Sequence, residues 1–459
     1  MSSSTSLMTE TPAPPRSHAA PALPRLLTGI PAHGAMALDE HLAVHGTLRA
    51  IGDRPARRRG RRGESPLIER IERSGLRGRG GAGFPTATKL RAVAGSRGRA
   101  VAVINAAEGE PASLKDRTLT QMLPHLVLDG GQFAAEAVGA DELIVCVCES
   151  ASASIESVAT AIDERRGLAG APARMNVTAV PNHYVAGQES ALVSHLNGGP
   201  ATPSFTPPMP FEQGVRRRPT LISNAETFAH IALIARHGSR WFRELGTPSQ
   251  PGSALLTLSG PVAHPGVYEI EYGASLSSLI DAAGGTTAPL RAALLGGYAG
   301  TWIGGEYLRG LALSDEHLTP HGASLGAGVV ALLGEDACPV AEVARVARWL
   351  AGQSTRQCGP CVNGLDALAS TLEEIAAGVA QANATQRIVR LGSLVRRRGA
   401  CGHPDGAVNF IASALETFAA DFSDHARHGR CDACMGPAEL PLPVSASNAR
   451  EPWGSTPLP

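Results

Sequence analysis

Six of the eight cysteines fall in the last third of the chain: Cys338, then Cys358, Cys361, Cys401, Cys431 and Cys434. Two of the intervals, Cys358-x2-Cys361 and Cys431-x2-Cys434, have the two-residue spacing that lets a turn present paired sulfurs to one ion. The N-terminal stretch mixes Ser, Pro and Arg without a clean hydrophobic segment, so a cytoplasmic, reducing setting is expected. There, clustered cysteines favour metal ligands over a disulfide framework. Three readings of the sulfurs stand side by side. Cys358 and Cys361 open a helix whose dipole favours an anionic iron–sulfur cluster, with Cys401 returning across one helical hairpin. Alternatively, Cys358 and Cys361 join Cys431 and Cys434 around zinc, or no metal binds. Cys146 and Cys148 lie on one face of an apolar run and are read as buried packing.

Two further segments carry polar chemistry. In SGLRGRGGAGFPTATKL, Gly78, Gly80, Gly81 and Gly83 strip side chains from a loop, so backbone N–H groups can turn toward an anion while Arg79 and Lys89 supply charge. In NAAEGEPASLKDR, Glu108 and Glu110 follow the run AVAVINA, at a strand's carboxyl end, where α/β sheets bind ligands. Both carboxylates suit the hydroxyls of a sugar, although an exposed acidic turn is the plainer reading.

The elements that must position these groups are legible from patterning. Lys+Arg and Asp+Glu are both 41 in 459 residues, which leaves no overall field for nucleic acid. No apolar run reaches the roughly 20 residues needed to span a bilayer. Residues 1–62 are Ser/Thr/Pro-rich and end in the basic run Arg57 to Arg62, predicting a disordered tail. Ser65-Pro66 starts a capped helix with Leu67, Ile68, Ile71 and Leu76 on its apolar face. Residues 63–250 alternate short apolar strands with amphipathic helices, predicting an α/β domain with a mainly parallel, Rossmann-like sheet. Residues 251–336 turn to short strands with Gly-Pro and Pro-Gly breaks, a separate β-rich module containing a hairpin. Residues 337–430 hold four helical segments, near 339–352, 361–380, 384–398 and 404–428, which predict a four-helix bundle; 431–459 form a C-terminal tail.

In their order and spacing these stretches resemble the flavoprotein subunit of respiratory complex I and its relatives in NAD-linked hydrogenases and formate dehydrogenases. That family's text is close to GLRGRGGAGFPTGLKW and NADEGEPGTFKDR. YVAGQESAL, RRPTLISNAETFA, CGPCVNG and GACGHPDGA are similar to its later segments, and SGPVAHPGVYEI to the opening of its soluble-ligand-binding β-grasp module. The resemblance runs from about Pro66 to Cys431. It implies a cradle for flavin mononucleotide (FMN) built from Gly78, Arg79, Gly80, Lys89, Asn105, Glu108, Tyr184, Gly187, Gln188, Glu189, Asn224 and Thr227. Phe84 and Glu110 are then expected to meet NADH or NADPH. No side chain is expected to be catalytic in itself, because a flavin accepts a hydride as an electron pair and releases single electrons.

The same resemblance implies an iron–sulfur cluster, 4Fe-4S or 3Fe-4S, on Cys358, Cys361 and Cys401. The family's first cysteine is replaced by Thr355, so the fourth ligand is expected from Cys431, with Cys434 and His403 as other candidates. Further departures fall on the nucleotide side: Ala107, Gln188, Thr206 and Met209 stand where the family has Asp, Glu, Lys and Phe, and no aromatic follows Lys89. The implied activity is electron transfer from NAD(P)H through flavin and cluster to a ferredoxin-like or thioredoxin-like protein partner. Membrane association is expected only through such partners. The alternatives are a non-catalytic scaffold that retains the fold, or a regulatory ligand site in the β-rich module.

Overall fold

The computed structural model describes residues 23–47, 65–166 and 174–443. Strands β1 (Ala100–Ala106), β2 (Ala140–Cys148), β3 (Arg174–Val180) and β4 (Thr220–Asn224) form a sheet of order β3-β2-β1-β4 with every pair parallel. The Val, Ile and Leu runs of β1 and β2 are buried because helices cover the sheet, whereas the edge strand β3 is largely exposed. The helices Pro124–Val138 and Ala225–His237 pack closely together on it. Gly130 permits that approach, since a Cβ there would lie 1.7 Å from the Phe228 carbonyl oxygen. The chain builds outward from β1 to β3 and then returns to place β4 on the other side of β1. That reversal opens a crevice at the carboxyl ends of β1 and β4, where Asn105 pairs with Asn224.

The helix Pro66–Ser74 buries Leu67, Ile68 and Ile71 and ends at Gly75 in the left-handed region (φ 74°). Ser65 stands at its N-cap position without a side-chain capping bond. The predicted tail needs correction over residues 23–47. Leu26 is fully buried, and the amides of Arg25, Leu26 and Leu27 donate to the Glu269 carboxylate at 2.7, 2.8 and 3.2 Å. In the helix Leu38–His45, His41 is buried with Nε2 2.8 Å from Asp129. Scattered apolar residues in Pro-rich text gave no periodicity, yet they found apolar surface to cover. The basic run Arg57 to Arg62 lies outside the described residues.

The β-rich segment forms β5 (Ser253–Ser259), β6 (Gly266–Glu271), β7 (Leu290–Leu295), β8 (Thr301–Gly304) and β9 (Val329–Gly334), in a mixed sheet of order β6-β5-β9-β7-β8. The hairpin is β5–β6, antiparallel with Ser253 opposite Glu271. Ser275 caps the helix Leu276–Ala282 by accepting the Ser278 N–H at 3.0 Å. Within residues 337–430 come the helices Pro339–Gly352, Leu365–Ala376, Ala384–Val395, His403–Thr417 and Ala419–His428, five rather than the four expected there. The last predicted segment breaks at Phe418 (φ −112°, ψ 32°), whose ring is buried with Phe410 and Phe422. A tertiary anchor there outweighs continuous periodicity. The tail prediction also fails for residues 431–443, where Leu440 is buried in the helical core.

Candidate functional site

A cavity of about 460 Å³ lies at the switch point between β1 and β4. Gly78, Gly80 and Phe84 line it from the Gly-rich loop, Asn105 from β1, Gly187 to Glu189 from the segment after β3, and Asn224 and Thr227 from β4 and its helix. The starts of three helices meet there, at Thr86, Glu189 and the N-cap Asn224, and a helix start favours an anion; the Thr86 N–H itself donates to the Leu76 carbonyl and the Glu226 N–H to Asn224 Oδ1. The loop approaches because Gly81 (φ 99°) and Gly83 (φ 59°) turn through the left-handed region. Thr86 Oγ1 is buried on this wall without a hydrogen-bond partner. An orphaned hydroxyl, helix N-termini and this volume suit a phosphate-bearing cofactor of flavin size, so the residues present fit the group.

A second cavity, about 430 Å³, shares Gly80, Asn105, Gly187, Gln188 and Asn224 with the first and runs on to Glu108, Glu110 and Tyr184. Glu110 is buried and accepts the amides of Tyr298 (2.7 Å) and Ala112 (3.2 Å) and the Tyr184 hydroxyl (3.4 Å). Burial pushes its carboxyl up to about 7, with the amide bonds pulling the other way. Glu108 is engaged by Ser113 Oγ (2.5 Å) and by the amides of Asp116 (3.2 Å) and Arg117 (3.1 Å), at the start of the helix Lys115–Met122. Gly187 passes so close to the chain that a Cβ would meet the Ala107 carbonyl oxygen at 2.5 Å.

Arg79, expected as a neutralising charge in the flavin cradle, lines the second cavity rather than the first. Its guanidinium is buried away from the first cavity, bonded to the Tyr272 hydroxyl and to the Ser253 carbonyl (3.0 Å), and 3.7 Å from Glu226. Its backbone amide donates to Thr227 Oγ1 at 2.9 Å, so Arg79 anchors the loop. Lys89 remains at the cavity, where Nζ bonds Glu189 and the Ile222 carbonyl (3.0 Å). Lys115 carried no assigned role, although it sits in the quoted acidic motif. Its buried Nζ lies 3.0 Å from Asp116, 3.0 Å from Glu226 and 3.1 Å from Asn224. Burial opposes its charge, but Asp116 and Glu226 outweigh burial and hold its pKa above the ordinary lysine value. Ser190, Ser204 and Phe205 also line the first cavity and had no sequence signal beyond their neighbours.

Cys358, Cys361 and Cys401 gather next to this cavity. The Ala400 N–H donates to Cys358 Sγ at 3.5 Å, and Ala400 itself lines the cavity wall. Burial raises the Cys401 thiol, with Cys361 and Cys358 adding to the effect and the His403 amide opposing it. Cys361 is buried in a π-type turn, Pro360–Gly364, that leads into Leu365–Ala376. Three thiols beside backbone N–H donors fit an anionic cluster that has one ligand to find elsewhere. Thr355 bonds Gln357 Oε1 at 3.2 Å through its hydroxyl. His403 Nε2 bonds the Leu350 carbonyl at 2.9 Å, leaving Nδ1 buried and unpartnered. Between the two sites stands Tyr184, its ring 5.3 Å from Trp349 and 5.4 Å from His403.

The placing of Cys431 as the fourth cluster ligand is overturned, and with it the zinc reading that joined both two-residue pairs. Cys431 and Cys434 lie with Cys338 and His425, their ligand atoms all within 4.8 Å. Cys338 caps the start of Pro339–Gly352 and Cys358 lies beyond its end; 14 helical residues span about 21 Å. Cys358, Cys361 and Cys401 are not part of that group, and the thiols that act on Cys401 are Cys361 and Cys358.

Comparison with known proteins agrees with this geometry. The Nuo51 FMN-binding domain model matches residues 71–233, the SLBB domain model 255–297, and the NADH-ubiquinone oxidoreductase-F iron-sulfur binding region 341–425. The last contains Cys358, Cys361 and Cys401 but neither Cys431 nor Cys434. The chain is 32% identical over 378 residues to an NADH-quinone oxidoreductase subunit of Rhizobium meliloti (strain 1021), covering 80% of this chain and 90% of that one. It is 29% identical to NADP-reducing hydrogenase subunit HndC of Solidesulfovibrio fructosivorans, covering 80% and 77%. A chain in the crystal structure of an NAD+-reducing NiFe-hydrogenase in the H2-reduced state superposes with a TM-score of 0.72 at 32% identity, covering 78% of this chain and 62% of that one. Among the described residues no helix is long and apolar enough to cross a membrane.

Proposed function

Because this chain belongs to the family of FMN-binding, iron–sulfur subunits of NADH-quinone oxidoreductases, we propose that it passes electrons from NADH or NADPH to a protein partner. When bound, the flavin takes a hydride's electron pair and yields single electrons to an iron–sulfur cluster. The observation that carries this reading is adjacency: the flavin-sized cavity and the three-cysteine group share Ala400 as a wall.

The protein's own residues hold and orient. Lys89 and the helix N-termini at Thr86 and Glu189 receive the phosphate, and Gly80 and Gly187 let backbone approach the ring system. Asn105, Asn224 and Thr227 supply polar contacts at the strand ends. Phe84, half exposed at the mouth, and Glu110 in the second cavity meet the nicotinamide nucleotide. Cys358, Cys361 and Cys401 hold the cluster, with the buried, unpartnered Nδ1 of His403, two residues beyond Cys401, as the candidate to complete it. The mixed sheet serves as the family's β-grasp module, and the C-terminal helices as its cluster-binding bundle. The partner is a ferredoxin-like or thioredoxin-like cluster subunit, and any membrane association runs through it.

Anaerobic purification followed by addition of NADH or NADPH tests the proposal. Flavin and cluster absorbance that bleaches within seconds is the expected result. Protein that holds flavin and iron but never bleaches with either nucleotide removes the nicotinamide part. Protein that stays colourless after reconstitution favours the non-catalytic scaffold, for which Thr355 in a ligand position is the observation.

A further inference from the structure

We propose that Cys338, His425, Cys431 and Cys434 hold one zinc ion, separate from the iron–sulfur ligands, that fastens the C-terminal segment across the junction of the mixed sheet and the helices. The four ligand atoms come from three places in the chain. Cys338 follows β9, His425 lies on the helix Ala419–His428, and beyond it Cys431 precedes, and Cys434 lies within, the 3₁₀ turn Asp432–Met435.

The spacing suits a tetrahedral ion. Zinc–sulfur bonds of about 2.3 Å place two sulfurs about 3.8 Å apart across a tetrahedron. Cys431 and Cys434 Sγ are 3.8 Å apart, and Cys338 and Cys434 Sγ 3.3 Å. His425 Nε2 lies 3.4 Å from Cys338 Sγ and 3.3 Å from Cys434 Sγ. All four cysteine and histidine groups converge within 4.8 Å, and the cysteines are free rather than paired in disulfides.

The histidine is also held as a ligand should be. Its Nδ1 lies 2.8 Å from the Asp421 carbonyl, which accepts the ring N–H and leaves the Nε2 lone pair facing the sulfurs. One imidazole with three thiolates is a common structural zinc set, while inorganic iron–sulfur clusters draw on thiolates almost throughout. Cys338 and His425 are buried and Cys431 is exposed, so the ion sits at the edge of the helical core with one open flank.

What the ion secures is visible beyond Cys434. The amides of Glu439 and Leu440 donate to Glu342 at 3.2 and 3.0 Å, and the Gly334 amide donates to Glu439 at 2.9 Å. The Pro441 carbonyl accepts the Tyr298 hydroxyl, and the Tyr298 amide is the closest partner of Glu110. The fastened segment thus backs the loop that positions a nucleotide-site carboxylate. Metal binding at such a site contributes directly to folding, because the ligands meet only in the folded chain.

The test counts metals and flavin separately in anaerobically purified protein grown with zinc and iron. One zinc per chain is expected, with about three sulfurs and one nitrogen around it by X-ray absorption. The double variant Cys431→Ser/Cys434→Ser is expected to lose zinc and keep flavin and iron. The conservative His425→Cys variant is expected to retain zinc with four sulfurs. Should the double variant not fold, zinc released from the intact protein by a mercurial reagent, with trypsin cutting at the exposed Arg430 at least tenfold faster afterwards, carries the same weight. Protein without zinc, zinc that persists in the folded double variant, iron in place of zinc at these ligands, or a Cys338–Cys434 disulfide found by mass spectrometry each overturns the proposal. Because flavin and cluster iron are counted independently, such a failure leaves the electron-transfer reading standing, and the reverse holds too.

Discussion

Glu110 accepts the backbone N–H of Tyr298 at 2.7 Å, which ties the loop after β1 to the turn between β7 and β8. A single carboxylate therefore joins the parallel sheet to the mixed sheet, in surroundings that disfavour its charge. Its pKa rises from 4.5 to about 7, chiefly through burial. Below pH 4.5 the group is protonated in both folded and unfolded chain. Between 4.5 and 7 the folded chain keeps a proton that the unfolded chain has released, so stability falls as pH rises through that window. The total effect is on the order of 3 kcal/mol. Glu110→Gln is expected to flatten this slope in urea titrations of flavin-free protein; an unchanged slope refutes the assignment.

Arg79 and Lys89 both flank the Gly-rich loop, but they answer to different tests. Arg79→Lys removes a planar fork from buried acceptors at Tyr272, Ser253 and Glu226, and is expected to cost about 2 kcal/mol in unfolding free energy. Lys89→Ala leaves the fold and weakens FMN about tenfold, read by fluorescence titration. Equal loss of flavin affinity without loss of stability in Arg79→Lys contradicts the loop-anchor role.

Phe84 is 49% exposed at the mouth of the first cavity. Its truncation to Ala exposes no core, so the melting temperature and flavin content are expected to stay as they are. The KM for NADH is expected to rise about tenfold, the worth of one aromatic stacking contact. A change in flavin content instead of KM places the ring against the flavin.

By the family resemblance Thr355 replaces a thiolate, and its hydroxyl donates to Gln357 Oε1 at 3.2 Å. Thr355→Cys is expected to raise bound iron and sulfide per chain, toward a cluster with four thiolates, and to change its electron paramagnetic resonance spectrum. Unaltered iron content and spectrum show that the cluster already has a complete ligand set, with His403 as the first residue to vary next.

Local patterning carried far in this chain. Val and Ile runs in AVAVINA and LIVCVC identified parallel strands because burial on both faces leaves no polar alternation, and Gly-Pro breaks marked the second sheet. Phe418 and residues 23–47 went unread for the same reason in reverse. A helix break set by where an aromatic ring is anchored, as Phe418 is against Trp302, and apolar residues that pack on distant chain, as Leu26 does beside Glu269, depend on partners outside the local sequence.

Residue types and their order already declared the chemistry on offer: a glycine loop at a strand end, carboxylates beside it, and a cysteine set short by one at Thr355. Which of these groups meet was settled by packing alone. Arg79 and Lys89 are ten residues apart in one motif, yet one guanidinium turns into a domain junction and the other cation reaches the cavity. Cys358 and Cys431 look interchangeable as ligands, yet packing gathers Cys431 with Cys338, His425 and Cys434 and sets Cys358 beside Cys401. The type of a side chain limits what it can bind, whereas proximity is set by how helices and sheets stack, and that stacking leaves no mark in the spacing of the cysteines.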